Sequence, residues 1–259
     1  MRFMRYLKGF YMSLGMFCAI PLPFHIWDEK LTSIMVASFP LVGLFIGALW
    51  WGVALLAISL GLPLMLTAAI LTIAPFLIAG FIHLDGYMDT SDALLSYRNL
   101  EGRLRILKDP NVGAFAVIML VILLILQFAA MHSVAENARY LALIIAIAVI
   151  SRCCSAFSIF TLRHMPESNY AAMLSQNVRV SHRIFVVIVA AGASAFSFWY
   201  AGVYGIIAVA AVILGYAVAM RKAFKGFNGI SGDLLGYAMV IGEICGFVAL
   251  AILVGRGIT

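Results

Sequence analysis

Gly113-Ala-Phe-Ala-Val-Ile-Met-Leu-Val-Ile-Leu-Leu-Ile-Leu-Gln-Phe-Ala-Ala-Met131 runs without a charged side chain. Coiled as an α-helix it reaches roughly 30 Å, the hydrocarbon thickness of a bilayer. In lipid a helix satisfies every backbone donor and acceptor within its own segment, so the stretch predicts a spanning helix. Comparable apolar runs flank it on both sides: Ser33–Leu60, Leu62–Ile82, Ala138–Phe160, Ile184–Tyr200, Val203–Met220 and Tyr237–Val254. The whole chain agrees, being 64% hydrophobic and only 11% charged over 259 residues, where a soluble domain carries about 25% charge. That composition excludes an ordinary soluble protein, a disordered chain and a disulfide scaffold. The expected architecture is all-α: a polytopic integral membrane helical bundle of about seven transmembrane helices, forming one domain over residues 1–259.

The connections sharpen this picture. Gly61-Leu62-Pro63 and Ala201-Gly202 carry no charge and predict tight helical hairpins. Gly9–Phe24 ends in Pro21-Leu22-Pro23 and is short for a span, so it reads as an interfacial or re-entrant helix. A signal peptide fits less well, because no small-residue cleavage site follows the apolar stretch. With seven spans, Arg139 and Arg256 fall on one side and Arg152 inside a span. All other lysines and arginines fall on the side of the N-terminus, which is therefore expected to be the cytoplasm. The formal charge of +6 comes from bases scattered between apolar runs, so it speaks for membrane orientation and against nucleic acid. Cys18, Cys153, Cys154 and Cys245 all sit in apolar runs without metal-type spacing and read as small buried residues.

Acidic residues are scarce, which makes their placement informative. Asp85, Asp89, Asp92, Glu101 and Asp109 fall between Ile82 and Pro110. The first three stand at i, i+4 and i+7, so on a helix their carboxylates share one face. Like charges so spaced destabilise a helix, and a hard divalent cation such as Mg²⁺ is the economical partner for three carboxylates. The competing reading is a solvated acidic face, which the apolar surroundings disfavour. Arg98, Arg103, Arg105 and Lys108 follow at once, and a carboxylate cluster beside bases suits a metal-bound diphosphate. Arg98 and Lys108, nearest the acids in sequence, are the favoured phosphate contacts, and Arg105 is a further candidate. Each of these bases also obeys the positive-inside rule. Asp109 is open between a fourth ligand and a turn cap. His83 points away from the Asp85 face and reads as structural.

A second polar stretch, Asn228-Gly-Ile-Ser-Gly-Asp-Leu-Leu-Gly236, precedes the last span. Its glycines permit close backbone approach to a ligand or to another helix, and Asp233 is its only acid. Glu243 lies nearly three turns into the apolar helix that follows. A lone carboxylate there calls for a partner in the bundle, and Arg152 is the obvious one.

These motifs resemble the cobalamin synthase family, also called adenosylcobinamide-GDP ribazoletransferases. The resemblance rests on His83-Leu-Asp-Gly-Tyr-Met-Asp-Thr-Ser-Asp92, Lys108-Asp-Pro-Asn-Val-Gly113 and Gly229-Ile-Ser-Gly-Asp-Leu-Leu-Gly236, followed by Glu243. Ile20-Pro-Leu-Pro23, Phe39-Pro-Leu-Val-Gly43 and Ser151-Arg152 match as well. There are departures. Phe81 stands where glycine is usual, Ala93 replaces glycine, Ser231 replaces threonine and Val240 stands where many members carry glutamate. Glu167–Leu174 lacks the expected Arg-x-x-Gly-Leu-Gly pattern. The resemblance implies an integral plasma-membrane transferase of a prokaryote, with its active site facing the cytoplasm. It would join adenosylcobinamide-GDP to α-ribazole or its 5′-phosphate, releasing GMP, in the last steps of cobalamin biosynthesis. It implies Mg²⁺ on Asp85, Asp89 and Asp92, with Asp109 still open. One of the three aspartates, or Asp233, would be the general base. Arg98, Arg105, Lys108, Asn111, Arg152, Ser231 and Glu243 would contact substrate. An oligomer is left open. The rival readings are a phosphotransferase of the CDP-alcohol type, whose motif is not present, and a transporter, whose internal repeats are not visible.

Overall fold

The computed structural model describes residues 2–166, 173–174 and 177–255. Asn169, Tyr170, Arg256 and most of the Glu167–Leu174 stretch lie outside them. The described residues are helical, with no strand and one isolated bridge between His164 and Ile230. In chain order the helices are α1 (Arg2–Phe17), α2 (Thr32–Ala37), α3 (Phe39–Ser59), α4 (Leu64–Ala79), α5 (Ile82–Leu95), α6 (Leu100–Leu107), α7 (Ala114–Glu136), α8 (Leu143–Thr161), α9 (Val180–Phe227) and α10 (Gly232–Gly255). Five segments (α3, α7, α8 with the turn before it, α9 and α10) are long and apolar enough to cross a membrane. α4 and α5 pass the same test only as a pair bent by 98°.

The boundaries differ from the hydropathy runs where backbone chemistry intervenes. The first run breaks at Ser38, and Pro40 opens α3 in its first turn, where a missing N–H costs nothing. The fifth and sixth runs are joined as α9, but Gly202 has a left-handed φ of +55° that interrupts it. Its arms fold back on each other: a Cβ on Gly205 would collide with the Ser197 carbonyl, eight residues earlier. In a straight helix those two positions stand about 12 Å apart, so the expected hairpin is present. The N-terminal helix begins well before Gly9 and ends at Phe17, leaving the proline segment irregular.

α8 is the axis of the bundle. Most of its apolar window is buried (83%, against 28% for α7), so it faces other helices and not lipid. α3 meets it through Gly43 and Gly47, whose missing side chains admit the Ala148 carbonyl and the Ile145 Cα. That small-residue spacing is how helices approach closely when lipid removes the usual apolar driving force. At the opposite end of α4, the left-handed Gly80 and Phe81 (φ +80° and +53°) stop the helix and redirect the chain. α5 consequently runs almost at right angles to α4. Its first turn meets α1 and α3, where the His83 ring lies against the touching rings of Phe17 and Phe39, 6.0 and 5.9 Å from their centroids.

Candidate active site

α5 carries the three aspartates and crosses the first turns of α10. The crossing is close because two glycines face backbone. A Cβ on Gly86 would stand 2.7 Å from the Asp233 Cα, and one on Gly236 would stand 3.0 Å from the His83 carbonyl. The stacked rings of Tyr87 and Tyr237 (centroids 5.9 Å apart) close the same contact. Asp233 is thereby carried to the carboxylate stripe. Ser231 caps α10, its Oγ accepting from the Leu234 N–H at 3.4 Å and donating to Asp233 at 3.4 Å.

The electrostatics follow from this proximity. Asp89 is pushed up to about 6, first by burial and then by the negative charges of Asp85, Asp233 and Asp92. Asp85 is exposed, while Asp89, Asp92 and Asp233 are half-buried. Four carboxylates from two distant motifs therefore form one negative field at the end of the bundle.

Asp92 also has a structural task. Its carboxylate occupies the space a side chain would take at Gly113, and Oδ1 accepts from the Ala116 N–H at 3.4 Å. An acid from α5 thus caps the N-terminus of α7, where the helix dipole favours negative charge. The Lys108–Gly113 motif serves this contact. Asp109 Oδ1 accepts from both the backbone and side-chain N–H groups of Asn111, at 2.9 and 2.8 Å. Those bonds hold its carboxyl below the usual range. The turn they build delivers Gly113 to Asp92. Asp109 and Asn111 build that turn and are exposed.

The bases behave differently from one another. Arg98, Arg105 and Lys108 are exposed, and none makes an ion pair with the cluster among the described residues. Arg105 pairs with Glu101 at 4.0 Å, both more than 80% exposed, a geometry of little energetic weight. Arg103, Arg163 and Arg183 instead donate to the carbonyls of Gly226, Asn228 and Phe160, at or just beyond the ends of α9 and α8. Cations there oppose the negative helix termini. Sequence reasoning missed this use. The available signal was that Arg163 and Arg183 adjoin span ends. Arg152 and Glu243 do meet: Nη1 pairs with Oε1, and Ser151 Oγ donates to the same oxygen at 2.7 Å. Each is occupied by the other inside the bundle. Thr90 and Ser91, on the same helix as the three aspartates, carry hydroxyls that are buried and have no hydrogen-bond partner among the described residues.

The donor set suits a hard cation by chemistry, being all carboxylate oxygen. Among the described residues, no three His, Cys, Asp or Glu side chains already converge on one point. Mg²⁺ fits such a set because it takes one or two carboxylates and completes its shell with water and substrate phosphate. Asp85, Asp89 and Asp233 are the residues free to hold it, with Asp92 contributing whichever oxygen the α7 cap leaves.

A family model described as cobalamin-5-phosphate synthase matches residues 9–251. Three curated bacterial proteins, each described as an adenosylcobinamide-GDP ribazoletransferase, are similar over nearly their full lengths. One from Clostridium botulinum (strain Alaska E43 / Type E3) is 36% identical, covering 92% of this chain and 95% of its own. One from Clostridium perfringens (strain ATCC 13124) is 36% identical, covering 95% and 98%. One from Geobacillus kaustophilus is 33% identical, covering 91% and 92%. No solved structure matches.

Proposed function

The chain belongs to the cobalamin-5-phosphate synthase family, and from that premise we propose that this membrane transferase joins adenosylcobinamide-GDP to α-ribazole or its 5′-phosphate in a Mg²⁺-dependent reaction. The products are adenosylcobalamin, or its 5′-phosphate, and GMP. The observation that carries the reading is the convergence of Asp85, Asp89 and Asp92 with Asp233, enforced by the contact of Gly86 with the Asp233 backbone. A diphosphate cannot approach four carboxylates without positive charge between them, and a membrane-end site so built selects a metal-bound phosphate ester. When bound, Mg²⁺ supplies neutralisation of the diphosphate and of the departing GMP.

The chain's own residues position the partners. The acceptor hydroxyl oxygen forms the new bond to the cobinamide-side phosphorus, the bond to the GMP oxygen breaks, and GMP keeps that electron pair. The hydroxyl proton passes to one of the carboxylates among Asp85, Asp89, Asp92 and Asp233. Catalysis is mainly orientation and electrostatics, as in other phosphoryl transfers. The mouth faces the side richest in Lys and Arg, the cytoplasm under the positive-inside rule.

The test is GMP release by the purified protein in detergent, supplied with adenosylcobinamide-GDP and α-ribazole, with and without Mg²⁺. Release should require both substrates and the cation. Asp85→Asn, Asp89→Asn and Asp233→Asn should each lower it by two or more orders of magnitude with folding intact. Undiminished turnover in all three, or in chelator, would sink the proposal.

A further inference from the structure

A cavity of about 590 Å³ lies outside the carboxylate site, between α8 and the second arm of α9. Ile213, Ala217, Arg221 and Lys225 stand four residues apart and form one stripe along α9. The stripe is apolar along the middle of the second arm and basic toward its end, the end of the bundle that holds the aspartates. Phe157 and Thr161 of α8 form the facing wall.

The chemistry of the groove changes along its length. Its floor asks for nothing polar: Thr161 Oγ1 donates to the Phe157 carbonyl at 2.7 Å, and Tyr216 donates to Ser158 Oγ at 2.9 Å. Phe157 and Ile213 are 43% and 44% exposed, so hydrocarbon can reach the walls. At the mouth, Arg221 and Lys225 are exposed and make no hydrogen bond or ion pair among the described residues. Unlike Arg103, Arg163 and Arg183, they donate to no carbonyl at a helix end among the described residues. An acyl-length apolar slot closed by two free cations is complementary to one kind of molecule in a bilayer.

We propose that this groove binds an anionic glycerophospholipid, with an acyl chain along Ile213 and Ala217 and the phosphate between Arg221 and Lys225. The two-part match explains the pair of cations at i,i+4, which repel each other unless an anion lies between them. Lys222 is the internal control. It is in the same turn and on the same membrane face, but it does not line the groove.

Native mass spectrometry of the whole protein, extracted from vesicles of phosphatidylcholine mixed with phosphatidylglycerol, tests this. Wild-type protein should retain phosphatidylglycerol over phosphatidylcholine. Each groove cation removed should weaken retention about five-fold, so R221Q/K225Q should lose roughly 25-fold, while K222Q changes nothing. Ala217→Phe, which fills the slot and keeps both charges, should release the lipid as well. Should either substituted protein fail to fold, K225Q alone still carries the five-fold expectation. The proposal is overturned if both lipids are retained alike or if K222Q loses as much as K225Q. It is equally overturned if α-ribazole displaces the lipid, or if a second copy of the chain occupies the groove in place of lipid.

Discussion

Gly86 of α5 lies against the backbone of Asp233 at the start of α10, so close that a Cβ at Gly86 would stand 2.7 Å from the Asp233 Cα and 2.8 Å from its carbonyl oxygen. Two segments nearly 150 residues apart in the chain are thereby locked into one carboxylate site. The obstacle to any side chain at 86 is backbone, which cannot swing aside. Gly86→Ala should therefore separate the two helices, cost about 1–3 kcal/mol of stability and lower turnover. Thermal unfolding and GMP release, both in detergent, check this. Wild-type values in both would show that the close approach is dispensable.

Asp92 separates two roles. As the cap of α7 it needs only an acceptor, which asparagine supplies. As a charged member of the cluster it needs the negative charge. Asp92→Ala should cost about 0.5–2 kcal/mol, the value of a helix cap, and Asp92→Asn about 0.3–1 kcal/mol, the loss of the dipole contribution. Turnover should fall in both. Equal stability losses would argue against the capping contact.

Arg152 and Glu243 are a buried pair, with side-chain exposures of 3% and 14%. Removing one partner strands the other in the bundle. Arg152→Met or Glu243→Gln alone should lower stability by about 3–5 kcal/mol, while the double substitution should recover most of that loss. A double-mutant cycle on unfolding in detergent measures the coupling. Additive losses would mean that the pair contributes nothing as a pair.

Phe81 sits at φ +53°, in the left-handed region, and is 53% exposed. A side chain there costs about 1–2 kcal/mol, and glycine escapes the penalty. Glycine's greater freedom in the unfolded chain takes back about 0.5–1 kcal/mol. Phe81→Gly should hence leave stability unchanged or raise it by up to ~1 kcal/mol. Phe81→Val, β-branched at positive φ, should lower it. A large loss in Phe81→Gly would show that the ring is held by packing.

Much of the molecule was legible before its structure. Apolar runs identify spanning helices because transfer free energies add along a window of about 20 residues, with no knowledge of neighbours. The i, i+4, i+7 spacing placed Asp85, Asp89 and Asp92 on one face for an equally local reason. The glycine hinge at Gly202 and the pairing of Glu243 with Arg152 were also readable, since positive φ and buried charge each leave few alternatives. The bend of 98° between α4 and α5 was not. Nor was the capping of α7 by Asp92, or the use of Arg103, Arg163 and Arg183 on helix ends. A hydroxyl, carboxylate or guanidinium has several possible partners, and the partner it takes depends on what the fold brings within 3 Å.

The sequence by itself determined that this chain is a helical membrane protein, where its charges cluster, and which acids share one helix face. Those properties follow from hydration and helical periodicity, which act over a few turns. Only the tertiary structure decided that the three motifs are one place. Asp233 joins the α5 stripe through the bare backbone of Gly86, and Gly113 makes room for Asp92. Both contacts depend on atoms that are missing from glycine. Which backbone fills such a gap is settled by helices meeting in three dimensions, and no local pattern in the chain records it.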